Sequence, residues 1–169
     1  VGTACVINGE IYRGQHGIHP EAGHMLLDPS GPECYCGGRG CLESVVAGPS
    51  IAQLARTWAQ DDTLPQDARQ IAALARAGHT GARTVIDRAG GYLALGLVNV
   101  IMLYVPDVVV FAGGVMQNYD LFEPILQDAV QRHSAMVPGA KVRLAPATLG
   151  DNAGVIGAGY AAWTHLTHS

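Results

Sequence analysis

The sequence predicts an α/β domain. Stretches of helical periodicity alternate with short apolar runs typical of strands, and the chain opens with a pattern of two short strands joined by a tight turn. The 169 residues suffice for one domain, or for one lobe of a larger protein, with a substantial core. Apolar residues make up 49% of the chain and charged residues only 14%, which is typical of a globular protein rather than a disordered one.

The first element is a predicted β-hairpin. Residues 3–7 and 11–13 are its strands, because Asn8-Gly9 between them is the favoured two-residue hairpin turn. The loop that follows, residues 14–40, is rich in glycine and contains two of the four cysteines of the chain.

Three helices are predicted next, from apolar residues at helical spacing: Gly48–Ala59, residues 67–77 and residues 82–104. The third contains Gly90, Gly91 and Gly96, which lower its intrinsic helix propensity. We expect these glycines to mark close packing against another element.

The C-terminal part is predicted as strand, helix, strand and helix. Pro106 ends the long helix, and Val108–Phe111 is a continuous apolar run typical of a strand covered on both faces. The remaining elements are a helix over residues 119–134, a strand over residues 141–145, and a helix over residues 151–164 that begins with Asp151 as its N-cap.

Residues 21–43 carry the strongest chemical pattern in the chain. The glycine-rich run CYCGGRGCLE contains Cys34, Cys36 and Cys41, and His24 lies ten residues before it. Because glycine accepts positive φ, this run can fold tightly enough to bring three thiolates to one ion. Three cysteines and one histidine are a ligand set of closed, tetrahedral zinc sites. The pattern therefore predicts a structural zinc ion bound by these four side chains.

A disulfide and a set of unrelated buried thiols are the alternatives. Disulfide frameworks are typical of small secreted chains, whereas only Cys5 lies outside the cluster and the first residues show no basic-then-apolar leader pattern. Cys34 and Cys36 are also too close in sequence to pair easily with each other. A metal site is the favoured interpretation.

Glu21 and Glu43 flank the predicted metal loop. Folding of the loop would bring both carboxylates near His24, and such a polar pocket suits the hydroxyl groups of a neutral polyol. The alternative is that both carboxylates are solvated or only support the metal ligands.

Gly113 and Gly114 lie between a predicted strand and a predicted helix. Glycines at such a place let the backbone approach a ligand closely and let helix amides meet an anion. A tight packing turn explains them equally well, and no Gly-Lys-Ser/Thr follows, so the segment is not a P-loop.

Charge and hydropathy exclude two classes of partner for this segment. The formal net charge is −4 and the 10 basic residues are scattered, whereas nucleic-acid binding needs clustered Lys and Arg. No run of about 18 apolar residues is present, so no membrane span is predicted. Thiols available to a metal fit a reducing cytoplasm.

The cysteine-rich pattern resembles that of the ROK family of sugar kinases and sugar-responsive repressors. The similar segments cover essentially the whole chain: HPEAGHMLLDPSGPECYCGGRGCLE, VINGEIYRG, FAGGV and LGDNAGVIGAG. The resemblance implies an actin-like (ribonuclease-H-like) ATPase fold, with residues 1–169 as the single C-terminal lobe of a two-lobe protein. A start at Val1 without methionine fits a segment cut from a longer chain.

The resemblance also implies a role for each candidate residue. Zinc would be bound by His24, Cys34, Cys36 and Cys41, sugar hydroxyls would be contacted by Glu21, His24 and Glu43, and the adenine nucleotide would lie beside Gly113 and Gly114. No catalytic residue is expected in this segment, because the family's general-base aspartate would lie upstream. ATP and Mg²⁺ would bind together with the N-terminal lobe.

Two functions are implied. The first is that of a cytoplasmic, homodimeric, ATP-dependent kinase of a hexose or N-acetylhexosamine, with this segment inactive on its own. The alternative is the effector-binding part of a sugar-responsive transcriptional repressor. Pro20 and Ala22 replace the more frequent glycine and isoleucine of the family, and neither carries a proposed ligand atom.

Overall fold

The computed structural model describes residues 1–133 and 141–167. Its helices and strands follow in this order: β1 (Val6–Ile7), β2 (Glu10–Ile11), α1 (Leu42–Val46), α2 (Gly48–Ala59), α3 (Ala68–Arg76), α4 (Thr80–Tyr104), β3 (Val108–Phe111), α5 (Tyr119–Arg132), β4 (Arg143–Pro146) and α6 (Ala153–Thr167). The predicted α/β class is confirmed, and the helix Gly48–Ala59 has the predicted bounds.

The described strands form two small sheets. β1 and β2 are antiparallel, and the turn between them places Asn8 at φ 54° and Gly9 at φ 84°, the left-handed pair that a two-residue hairpin turn requires. β3 and β4 are parallel, with Val108 opposite Arg143. The connection between β3 and β4 contains α5, as a parallel pair requires a crossover of this kind.

The first strand is shorter than predicted, because the N-terminal segment bonds to a later loop. The Thr3 hydroxyl donates to the Pro20 carbonyl at 2.7 Å and accepts from the Ala22 N–H at 3.2 Å. These bonds hold residues 1–3 against the loop that leads to His24.

Other element ends also differ from the prediction. The second parallel strand begins at Arg143 rather than at residue 141, and the helix α1 was not predicted. Ser134, the last residue of the predicted helix 119–134, and the side chain of Asp151, the predicted N-cap, lie outside the part that the structure describes.

The main core lies between α2, α3, α4 and α5. Each of these helices contributes large side chains that are almost completely buried: Ile51, Ile71, Ile86, Phe122 and Leu126. A smaller cluster under the metal loop is formed by α1 with Leu42, Val45 and Val46. α4 packs against α1, α2, α3 and α5, and it is the central helix of the described fold.

α4 has 25 residues and a mean hydropathy of 1.4 in its most apolar window, which on length and composition alone would suffice to cross a membrane. The central helix of a folded core passes the same test, and α4 lies among four other helices.

The glycines of α4 differ in their surroundings. A Cβ on Gly90 would lie 2.6 Å from Ile125 Cδ1, and one on Gly96 would lie 3.1 Å from Leu42 Cδ2, whereas one on Gly91 would meet nothing within 4 Å. The predicted close packing is confirmed at Gly90 and Gly96 and is wrong at Gly91.

Candidate functional site

The cysteine-rich loop folds back on itself through short backbone pairings. Leu26 pairs with Cys41 and Glu33 with Arg39, both antiparallel. Inside the second pairing, the N–H of Cys34 donates to the carbonyl of Gly38 at 2.8 Å. The loop therefore forms a narrow hairpin that returns Cys41 to the beginning of the cluster.

Gly40 is essential to this hairpin. Its φ of 62° lies in the left-handed region, and a Cβ would overlap the carbonyl group of Asp28. The carbonyl of Gly40 accepts the N–H groups of Leu27 and Asp28, at 2.9 and 3.2 Å. Only glycine allows the two limbs of the loop to approach this closely.

The four predicted metal ligands are brought together. The ligand atoms of His24, Cys34, Cys36 and Cys41 all lie within 4.8 Å of one another. Cys36 Sγ lies 3.6 Å from Cys41 Sγ, and Cys34 Sγ lies 3.5 Å from His24 Nδ1. A tetrahedral site with Zn–S near ~2.3 Å and Zn–N near ~2.0 Å separates two sulfurs by about 3.8 Å and a sulfur from a nitrogen by about 3.5 Å. The cluster therefore has the dimensions of a tetrahedral metal centre.

The cysteines in this cluster are free thiols in different environments. Burial raises the pKa of the Cys41 thiol to about 12. At the exposed Cys36, a hydrogen bond from the N–H of Gly38 is the main cause of a lowered pKa. A metal ion would favour the thiolate at both positions. The 3.6 Å between these sulfurs is far beyond the ~2.05 Å of a disulfide.

Tyr35 contacts the second ring nitrogen of His24. Its hydroxyl lies 3.0 Å from Nε2, and its ring meets the imidazole edge to face, with centroids 5.0 Å apart. Sequence reasoning missed this residue, although its place between two metal-ligand cysteines was a signal that could have found it.

Glu21 and Glu43 lie on neighbouring elements. Glu21 is exposed and directly precedes the 3₁₀ turn Ala22–His24, and its carbonyl accepts the N–H of His24 at 2.9 Å. Glu43 lies in the first turn of α1, which packs against this 3₁₀ turn. Glu21 therefore lies at the start of the element that carries His24, and Glu43 lies two residues after Cys41.

An aromatic contact joins the metal loop to the helical core. The Tyr92 hydroxyl donates to Asp28 at 2.8 Å, and this bond is the main cause that lowers the pKa of the Asp28 carboxyl. Burial is the main cause that raises the pKa of Tyr92. Trp58 of α2 stacks on Tyr92 with centroids 6.0 Å apart, and the Arg88 guanidinium lies 5.2 Å from the centre of the Trp58 ring. These contacts fix the loop on α2 and α4.

The Gly113-Gly114 turn, the second candidate site in the sequence, borders a cleft of about 570 Å³. Gly114 lines it together with residues at the beginnings of α2, α3 and α5, among them Gly48, Asp67 and Phe122. Gly113 has a φ of 94°, a left-handed conformation that explains why glycine occupies this position. Gly114 has ordinary helical angles. A Cβ on Gly114 would meet nothing within 4 Å, so neither packing nor conformation requires glycine there.

Arg76 holds one wall of this cleft. Its Nε and Nη2 donate to the two carboxylate oxygens of Asp120 at 3.0 and 2.6 Å, and its Nη1 donates to Asn118 Oδ1 at 2.8 Å. Asn118 lines the cleft. The three residues tie α3 to the beginning of α5.

The model of the ROK family matches residues 1–165 of this sequence. The chain belongs to the ROK family. Family members similar to it include a glucokinase of Halalkalibacterium halodurans, which is 34% identical over an alignment of 177 positions that covers 95% of this chain and 52% of that protein. A xylose repressor of Bacillus subtilis is 29% identical over 157 residues, 93% of this chain and 40% of the repressor. An N-acetylmannosamine kinase of Yersinia pestis is 35% identical over 115 residues, 68% of this chain and 38% of that kinase.

Solved structures of ROK proteins share the fold. A ROK hexokinase from Thermus thermophilus superposes with a TM-score of 0.78 at 30% identity, over 97% of this chain and 54% of that one. A ROK glucokinase from Streptomyces griseus, solved with glucose and AMPPNP, has the same TM-score at 23% identity, over 92% of this chain and 55% of that one. The fold is that of the actin-like ATPase lobe, and the chain spans about half the length of these ROK relatives or less.

Proposed function

We propose that this chain is the sugar-binding lobe of an ATP-dependent kinase that transfers a phosphoryl group to a hydroxyl of a hexose or N-acetylhexosamine. The observation that carries the proposal is the metal cluster with Glu21 and Glu43 on the two elements beside it. The glucokinase and the N-acetylmannosamine kinase among the relatives support this class of substrate.

In this proposal the sugar lies against Glu21, His24 and Glu43. Each carboxylate oxygen accepts a hydrogen bond from a sugar hydroxyl, and two carboxylates on different elements can fix the orientation of a ring with several hydroxyls. Such positioning supplies a large part of the catalysis of phosphoryl transfer.

Zinc is the metal that we assign to the cluster. Three thiolates and one imidazole at tetrahedral spacing fit zinc, and four protein ligands leave no position for substrate or water. The ion would therefore hold the loop in shape and would not take part in the chemistry. Through Cys41, the N-cap residue of α1, it would also fix the helix that carries Glu43.

In this proposal the nucleotide lies beside Gly113 and Gly114. The cleft there has the volume of a small-molecule site, which is typically ~300–1,000 Å³. The open face at Gly114 allows the backbone to approach a ligand without a side chain between them. The other lobe would complete the binding site for ATP and Mg²⁺ and would also supply the general base. Residues 1–169 alone are therefore expected to be inactive.

A sugar-responsive transcriptional repressor is the second candidate, because a xylose repressor matches 93% of the chain. The same pocket would then sense the sugar rather than present it for reaction. Sugar-dependent ATP turnover by the protein supports the kinase. Release of DNA from an upstream helix-turn-helix on addition of sugar supports the repressor.

The proposal also places the protein in the cytoplasm as a homodimer, with no membrane and no nucleic acid bound through these residues. A reducing compartment would keep the thiols available to zinc.

The test compares Cys36→Ser with Cys5→Ser, a matched change of the cysteine that lies outside the cluster. We expect wild type and Cys5→Ser to retain about one zinc per chain, and Cys36→Ser to lose zinc and at least about tenfold in sugar affinity, because metal binding organises such loops. Zinc content is measured by elemental analysis and sugar affinity by calorimetry with glucose and N-acetylmannosamine.

Two results would contradict the proposal. A wild-type protein without zinc would remove the metal assignment. A zinc-free Cys36→Ser variant with unchanged sugar affinity would show that the cluster does not support the sugar pocket.

A further inference from the structure

The two ring nitrogens of His24 have different partners. Nδ1 lies 3.5 Å from Cys34 Sγ, on the side of the metal cluster, and Nε2 lies 3.0 Å from the hydroxyl of Tyr35. The two rings are nearly perpendicular, at 88°. Tyr35 separates Cys34 from Cys36, so the tight turn that places the two thiols also places this hydroxyl on the imidazole.

A neutral imidazole has one N–H and one bare nitrogen, and only the bare nitrogen can bind a metal. When Nε2–H donates to the Tyr35 oxygen, Nδ1 is left bare on the side of the thiols. An oxygen that accepts a hydrogen bond from the distal nitrogen of a metal-bound histidine fixes the orientation of the imidazole ring. The hydrogen bond also increases the basicity of the nitrogen that binds the metal. Tyr35 is in the position to do this for His24.

The same contact affects access to His24. With Nδ1 directed at the cluster, Nε2 is the nitrogen left for a sugar hydroxyl, and the Tyr35 hydroxyl already occupies it. The Tyr35 side chain is 81% exposed, so it can leave Nε2 with little loss of buried contact.

We propose that Tyr35 orients His24 for the metal and competes with the sugar for Nε2. Its second half rests on the proposed function. In the sugar-free protein the Tyr35 oxygen accepts a hydrogen bond from Nε2–H. When sugar binds, a sugar oxygen takes that place and Tyr35 turns outward, while the metal keeps Nδ1 in position. Tyr35 is thus a positioning residue that acts through His24.

Removal of the Tyr35 hydroxyl should change the two affinities in opposite directions. In Tyr35→Phe the zinc affinity should fall about tenfold. This is the lower end of the loss in affinity that is typical when a metal ligand loses its hydrogen-bond partner, and we expect the lower end because Tyr35 is exposed. The sugar affinity of the zinc-loaded variant should rise about two- to tenfold, because sugar no longer displaces an internal hydrogen bond. A merely structural role would lower both affinities.

The experiment compares wild type, Tyr35→Phe and Tyr160→Phe. Tyr160 is an exposed tyrosine on α6 and serves as the matched control. Zinc affinity is measured by competition with a chromophoric chelator, and sugar affinity by calorimetry on zinc-loaded protein with glucose and N-acetylmannosamine. Nitrogen-15 NMR of the metal-free protein, at a pH where the ring is neutral, reports the His24 tautomer, expected as Nε2–H in wild type and as a mixture in Tyr35→Phe.

The outcomes separate this proposal from the proposed function. An unchanged zinc affinity and an unchanged tautomer in Tyr35→Phe would overturn the positioning role. A sugar affinity that falls together with the zinc affinity would overturn the competition. If zinc-loaded wild type binds neither sugar, the proposed function fails, and the zinc and tautomer measurements still decide whether Tyr35 positions His24.

Discussion

Arg76 and Asp120 form an ion pair whose geometry differs from that of the other exposed pairs. Two guanidinium nitrogens meet two carboxylate oxygens, and the partners are 44 residues apart in sequence. Arg83 and Asp87 form an ordinary pair one turn apart on α4. Exposed ion pairs contribute little to the free energy of unfolding on average. Bidentate pairs that join separate elements are at the upper end of the range of these contributions.

We expect Asp120→Asn to lower the free energy of unfolding by about 0.5–1 kcal/mol near neutral pH, and Asp87→Asn by about 0.3–0.5 kcal/mol. Hydrogen bonds from Arg76 hold the pKa of Asp120 below its ordinary 3.8. The pair therefore stabilises the fold fully above the pKa of the unfolded chain, and this contribution is lost as the pH falls through the lower pKa of the folded state.

Urea unfolding of wild type and both variants, near neutral pH and in acid, measures this difference. The gap between wild type and Asp120→Asn should close in acid. A gap of the same size at both pH values would mean that the carboxylate charge is not the source of the stabilisation.

Residues of the metal cluster could be predicted from the sequence because their chemistry is local. His24 and the three cysteines lie within 18 positions, and their side chains have few other common uses at such spacing. The contact between Asp28 and Tyr92 could not be predicted, because its partners are 64 residues apart and meet only after α4 packs under the loop.

Helices and turns with strong local signals were also predictable. α2 has the predicted bounds, and Asn8-Gly9 forms the predicted turn. α1 has five residues, fewer than two helical turns, which is too short for a periodicity to appear. Strand β1 was predicted too long because side-chain bonds of Thr3 to a distant loop replace the ladder.

The glycines of α4 allow a test at the scale of one helix. Gly91→Ala should raise the free energy of unfolding by about 0.5–1 kcal/mol, because alanine favours the helix and the added methyl group meets open space. Gly90→Ala has the same gain in propensity, but its Cβ would lie 2.6 Å from Ile125 Cδ1, and overpacking typically costs about 1–3 kcal/mol.

Chemical denaturation of the two variants provides the comparison, with each serving as the control of the other. Gly91→Ala should be the more stable by about 1–3 kcal/mol, the cost of overpacking, because the gain in propensity is common to both variants. Equal stabilities would indicate that Ile125 moves aside at no cost and that Gly90 is not required for the packing of α4 on α5.

At the scale of the whole molecule, α6 is the helix with the least burial among the described side chains. Large apolar side chains on it are exposed: Val155, Ile156, Tyr160 and Trp163. Side chains of the described core come from the metal loop, from α1 to α5 and β4 and from the residues between these elements, and none from the described part of α6. An exposed apolar face of this kind is typical of a surface that contacts another protein segment.

If α6 contributes its apolar face to a contact outside these residues, Val155→Ser should change the free energy of unfolding of residues 1–169 by no more than about 0.5 kcal/mol. Leu126→Ala, in the fully buried core of α5, should cost about 2–5 kcal/mol because it leaves a cavity. Urea unfolding measures both. A Val155→Ser variant as unstable as Leu126→Ala would mean that α6 packs into the core of this chain, and the exposed face would then not be available to a second lobe.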